Sequence, residues 1–266
     1  MIEGVFTSVV LLMYLVLIVW IRADQINPSK TNHLAKRVGI FVALVFHGIL
    51  AYVCTFTADG IDHSISSLLI LVTFGMNLLM LLLNVTLRHE VLLLLVFLLT
   101  ILGIGLTTPI LGGNETPKLT TDGSMFAHIF LSISAYAVLT LAALQTTIFT
   151  LLQLFLRSKK NLAVVAALPP LETVEKLNFQ LLSTGLVVLT LTIISGVILY
   201  WPDVGQLLHQ IHMAIAVGAW LLYAAILFGY YGVGWRGRTI NLFSILAFVV
   251  LTGTYLGFRI SPLLVT

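Results

Sequence analysis

Apolar residues in this chain run in long unbroken stretches separated by short polar ones, and the lengths of those stretches carry the first inference. Eight segments, roughly 3–21, 38–57, 66–87, 90–111, 124–156, 174–200, 209–231 and 240–260, each come near the ~20 residues that cross the hydrocarbon of a bilayer. Lipid offers nothing to an open backbone N–H or C=O, so such stretches are predicted to be helices whose backbone bonds close within the segment. The expectation is an all-α integral membrane protein: a bundle of eight transmembrane helices, one transmembrane domain over residues 1–266. The fifth and sixth segments are longer than a bilayer requires, and at ~1.5 Å per residue they are expected to project beyond it on one side. Pro169 and Pro170 followed by Glu172 and Glu175 suit the start of the sixth, with proline early and acids in the first turn.

Composition points the same way. The chain is 59% hydrophobic and 9% charged, with mean hydropathy +1.11, far above the apolar share of a soluble domain. No stretch between spans is long enough to build a soluble domain. The first residues, Met1 to Phe6, lack the basic region and cleavage site of a signal peptide, so the first segment is read as a retained span. The single cysteine, Cys54, excludes an internal disulfide and reads as a packing residue.

Charge placement supplies an orientation. Arg22, Lys30, Lys36, Arg37, Arg88, Arg157, Lys159, Lys160, Lys176, Arg236 and Arg238 fall on one side, and Lys118 and Arg259 on the other, which accounts for all 13 Lys and Arg. The positive-inside rule places the larger group in the cytoplasm and both termini on the non-cytoplasmic side. Trp20 and Trp235 then fall near inner boundaries and Tyr200-Trp201 at an outer one, as an aromatic belt would have them.

That orientation divides the seven histidines. His33 and His89 fall in cytoplasmic loops and read as ordinary interfacial residues. His63 shares a short outer loop with Asp59 and Asp62, a weak metal signal better read as solvated loop residues. His47 lies within the second span near mid-membrane, where an ionisable residue is a functional candidate set against a neutral histidine bonded to a neighbouring helix. His128 and His212 each lie about one turn inside the outer mouth of a span. Two imidazoles at similar depth suggest one shared partner, and a planar iron cofactor with two axial positions is the candidate. Ser132 and Tyr136 follow His128 at four and eight residues, so a polar stripe is expected to descend beneath it. Ser and Tyr also serve as ordinary interhelical glue, as do Thr73, Asn77 and Asn84. His209 is the weaker alternative to His212. Arg259 stands on the outer side against the charge rule, which an anionic group such as a haem propionate or a lipid headgroup would explain.

Other chemistry has little to work with. No Gly-rich phosphate cradle, Ser/His/Asp set or paired carboxylate appears, and no basic face exists for nucleic acid.

Taken together, the run HIFLSISAYAVLTLAAL at 128–144, LPPLETVEKL at 168–177, GLVVLTLTIISG at 185–196, AWLLYAAIL at 219–227 and GWRGR at 234–238 resemble the integral-membrane cytochrome c assembly proteins. The closer resemblance is to their HemX-type and YpjD-type inner-membrane branch, which has the same eight-span size. The resemblance is strongest from 124 to 260 and implies haem handling at the outer face of a bacterial inner membrane. His128 matches the first external histidine of the synthases in that superfamily, and His47 an intramembrane histidine of the second span. The chain departs from the synthases where their tryptophan-rich loop is replaced by YWPDVGQLLHQIH and where the second external histidine, due after the last span, does not follow. No enzymatic activity is therefore expected. The expected function is haem binding or translocation in support of cytochrome c biogenesis, by His128, with His212, His47, Arg259, Tyr136 and Ser132 as further candidates. Expected partners are haem, the bilayer and a cytochrome c assembly or haem-biosynthesis protein. A second reading is an interaction protein that regulates haem synthesis through a cytoplasmic partner, and a third is a small-solute transporter, which lacks the broken-helix pair that carriers use.

Overall fold

The computed structural model describes residues 2–26, 33–57, 60–62, 64–82, 90–107, 123–158, 170–200, 207–235 and 237–264, though not the side chains of 2–3, 26, 33, 57, 107, 158, 200, 207–212, 238–239 and 254–264. Among the described residues there are eight helices, one over each apolar run: α1 (Ile2–Ile26), α2 (His33–Thr55), α3 (Ile65–Leu82), α4 (Glu90–Thr107), α5 (Gly123–Ser158), α6 (Leu171–Tyr200), α7 (Leu207–Phe228) and α8 (Arg238–Leu264). Two-residue strands β1 (Phe56–Thr57) and β2 (Gly60–Ile61) pair antiparallel between α2 and α3. Among the described residues six helices are long and apolar enough to cross a membrane, and Glu90–Leu106 and Ile240–Gly253 are shorter apolar helices.

The helix ends follow local chemistry. Ser64 caps α3 by accepting the Ser67 N–H on its hydroxyl (3.2 Å), and Asp62 accepts from the Ser64 N–H (2.8 Å) and the Ser67 hydroxyl (2.8 Å). Asp62, one member of the weak metal cluster read from the sequence, thus serves as a turn and cap residue. Asp59 and His63 lie outside the described residues. At α6 the Pro170 carbonyl accepts the N–H groups of Thr173 and Val174, and Glu172 sits in the first turn. At the other end of α7 a single π-turn, Gly229–Val233, closes when the Trp235 N–H reaches back to the Gly229 carbonyl at 2.8 Å.

Contacts divide the chain into two compact units, Met1–Thr121 and Asp122–Thr266. In the first, α1 packs on α2, α2 on α3, α3 on α4, and α4 returns to α1, closing four helices into a ring. The second closes the same way, α5 on α6, α6 on α7, α7 on α8, and α8 back on α5. The α5–α6 pair is the most extensive of these contacts. It approaches closely because Gly185 presents no side chain: a Cβ there would lie 2.4 Å from Leu139 Cδ2.

The surface reverses that of a soluble protein. Leu12, Val16, Phe41, Phe130, Val187, Ile198 and Leu221 are each more than half exposed, while His47, Asn77, Thr100, Gln145, Asn178 and Asn241 are buried. In lipid the outer apolar faces need no covering, and polar side chains gain most by bonding to one another inside. Lys36, which the sequence counts among loop charges, lies in the first turn of α2 and is only 3% exposed. Its Nζ is 2.6 Å from Asp24 and 3.7 Å from Glu90, so one ammonium joins the ends of α1, α2 and α4. Gln25 extends the cluster by donating to Glu90 at 2.7 Å and accepting from Arg22 at 3.1 Å.

Candidate functional site

In the second unit, α5 carries His128 in its second turn, facing α6. The imidazole Nδ1 lies 2.8 Å from Ser195 Oγ, and the ring rests over the next residue, Gly196. A Cβ at Gly196 would stand 3.1 Å from His128 Cε1, so the bare backbone there is what gives the part-buried ring its place. The stripe expected beneath His128 does not converge on it. Ser132 donates its hydroxyl to the His128 carbonyl of its own helix at 2.7 Å. Tyr136 turns toward α8 and donates to Thr252 Oγ1 at 3.0 Å, with its ring 5.8 Å from that of Phe248. Positions four and eight residues beyond His128 drift around a helix of 3.6 residues per turn, so the three side chains address different neighbours.

His209 and His212 lie on the first turns of α7 and Arg259 on α8, but their side chains are outside those described. The histidines His33, His63 and His89 also fall outside the described side chains. Among the described residues no group of three or more His, Cys, Asp or Glu could hold a metal ion.

The first unit holds His47, fully buried on α2. Tyr14 of α1 donates to its Nδ1 at 3.0 Å, and its Nε2 donates to the Ile70 carbonyl of α3 at 3.2 Å. A carbonyl only accepts, so Nε2 carries the proton and Nδ1 the lone pair that Tyr14 fills. Both nitrogens therefore have protein partners. On α3, Thr73 stands 3.5 Å from Nε2, and Asn77 donates to the Thr73 carbonyl (2.8 Å) and to Thr100 Oγ1 of α4 (2.7 Å). Tyr14, His47, Thr73 with Asn77, and Thr100 thus give one polar contribution from each helix of the unit to a transverse hydrogen-bonded belt.

Sequence reasoning did not find Ser195, Gly196, Tyr14, Thr100 or Thr252. Ser195 and Gly196 carried a faint signal as the small, polar end of the GLVVLTLTIISG run, and the others had none beyond being polar in an apolar stretch.

The fold and its buried polar groups define a multi-pass membrane helix protein with imidazoles built into its interior. The chain belongs to the cytochrome c assembly protein family, a family whose members handle haem: the family model described as Cytochrome C assembly protein matches residues 41–265. It is similar to the inner membrane protein YpjD of Escherichia coli (strain K12), 34% identical over 142 residues, 53% of this chain and 53% of that one. It is also similar to an "Uncharacterized 28.8 kDa protein in nifR3-like 5'region" of Azospirillum brasilense, 28% identical over 133 residues, 50% of this chain and 49% of that one. The similarity spans about half the length of these curated relatives. No solved structure matches the chain.

Proposed function

We propose that this chain binds haem at the His128 end of its second unit and supports cytochrome c assembly by holding or passing that haem rather than by catalysing its attachment. The observation that carries the reading is the seat of His128: an imidazole held by Ser195 at 2.8 Å over the open backbone of Gly196, in a family whose members handle haem. The residues fit the group. Imidazole is a common axial ligand of haem iron, and ligating histidines almost always have their second nitrogen hydrogen-bonded by the protein. Bound haem would supply a redox-active iron. His128 would hold it, and His212 on α7 is the candidate for a second ligand. Arg259 on α8 is the candidate partner of the propionates, and Tyr136 and Ser132 stand further along α5. His47 is the weaker candidate, since a ligand would have to displace Tyr14 or Ile70 from it.

The charge distribution of the sequence puts His128 on the non-cytoplasmic side, and similarity to an Escherichia coli inner membrane protein supports the bacterial inner membrane as its location. The test is an absorption spectrum. Purified protein supplied with haem should show a Soret band that His128→Ala abolishes; a wild-type protein that shows none sinks the reading.

A further inference from the structure

We infer that Ser195 and Gly196 are positioning residues for His128: Ser195 holds the imidazole in its Nδ1–H tautomer, which makes Nε2 the ligating nitrogen, and Gly196 admits the ring to that pose. The use of Nε2 rests on the haem reading above; the tautomer stands without it.

The argument is one of hydrogen counting. A serine hydroxyl has a single proton. Ser195 Oγ lies 2.9 Å from the Thr192 carbonyl of its own helix, the back-bond that a helical serine makes, and we assign its one proton to that bond. What Oγ then presents to His128 Nδ1, at 2.8 Å, is a lone pair. The contact is a hydrogen bond only if Nδ1 is the donor. A neutral imidazole with its proton on Nδ1 has its lone pair on Nε2. A free neutral histidine favours the opposite tautomer, so this is a state that α6 imposes.

The ring's pose is set by the next residue. A Cβ on Gly196 would meet His128 Cε1 at 3.1 Å, Nδ1 at 3.7 Å and Nε2 at 3.9 Å, so a methyl would crowd the edge of the ring between its two nitrogens. Adjacent residues of one helix therefore fix two different properties of the same side chain: which nitrogen carries the proton, and where the ring lies. For a ligand the pairing has a chemical use. A hydrogen bond from Nδ1–H fixes ring orientation and raises the basicity of Nε2, the atom that would donate to iron.

The tautomer can be read without haem. Full-length protein labelled with ¹³C and ¹⁵N at histidine, reconstituted in lipid bilayers, gives imidazole shifts by solid-state nuclear magnetic resonance, with His128 assigned by its loss in His128→Gln. The expected result is the Nδ1–H tautomer in wild type, its retention in Ser195→Thr and its loss in Ser195→Ala. A wild-type His128 found as Nε2–H overturns the inference, and so does an Nδ1–H tautomer that persists in Ser195→Ala. With haem added, Ser195→Ala and Gly196→Ala should weaken binding by about 10- to 100-fold, with Ser195→Thr close to wild type. An expected tautomer in a protein with no Soret band would remove the haem reading and leave the positioning intact. A normal band with the opposite tautomer would do the reverse.

Discussion

Two histidines inside helices can look alike in a sequence and differ wholly in what surrounds them. His47 has both nitrogens bonded within the first unit, to Tyr14 and to the Ile70 carbonyl, and its ring stands edge-on to Tyr14 and Phe74. His47→Leu strips Tyr14 Oη of its acceptor and breaks the belt at its second helix. It should cost about 1–2 kcal/mol, read as a lower midpoint of unfolding in detergent, with the haem band of the full chain unchanged. Loss of the band at an unchanged midpoint would instead make His47 a ligand. The depth of His47 in its span was legible from sequence because hydropathy locates it. The Tyr14 partner was not, since it lies 33 residues away and a tyrosine in an apolar run has nothing to mark the direction of its hydroxyl. Ser195 was hidden from His128 for the same reason, at a separation of 67 residues.

At the scale of helices the sequence said more. An apolar run in lipid has only one way to satisfy its backbone, so the eight described helices could be placed from hydropathy, six of them long and apolar enough to cross a membrane, and the proline-then-acid start of α6 from its first turn. Hydropathy says nothing about which helix faces which. Lys36 is the instructive case: it counts as a flanking charge in the sequence, yet α2 already begins at His33 and carries it between Asp24 and Glu90. Helix pairing depends instead on small residues. Gly185 on α6 faces Leu139, which is fully buried on α5. Gly185→Ala should destabilise the second unit by about 1–3 kcal/mol through overpacking. Trimming Leu139 to alanine in the same chain should return part of that loss, and a double variant no better than the sum of the two singles would show that the contact is not the one being strained.

At the scale of the molecule, the family match begins inside α2 and runs through both four-helix rings. The haem candidates other than His47, namely His128, His212, Arg259, Tyr136 and Ser132, all belong to the second. Residues 122–266 expressed alone should accordingly give the same Soret band as the whole chain when supplied with haem. A band that appears only when residues 1–121 are present would place a ligand in the first ring. Ring closure also carries a consequence in time. The first and last helices of the second unit meet through Tyr136 and Thr252, which are 116 residues apart. At the ~5–20 residues per second of synthesis, α5 is in the membrane about 6–23 s before the segment that completes its ring has been made. During that interval α6 and α7 are made in turn, and α5 keeps one flank open until the ribosome delivers α8.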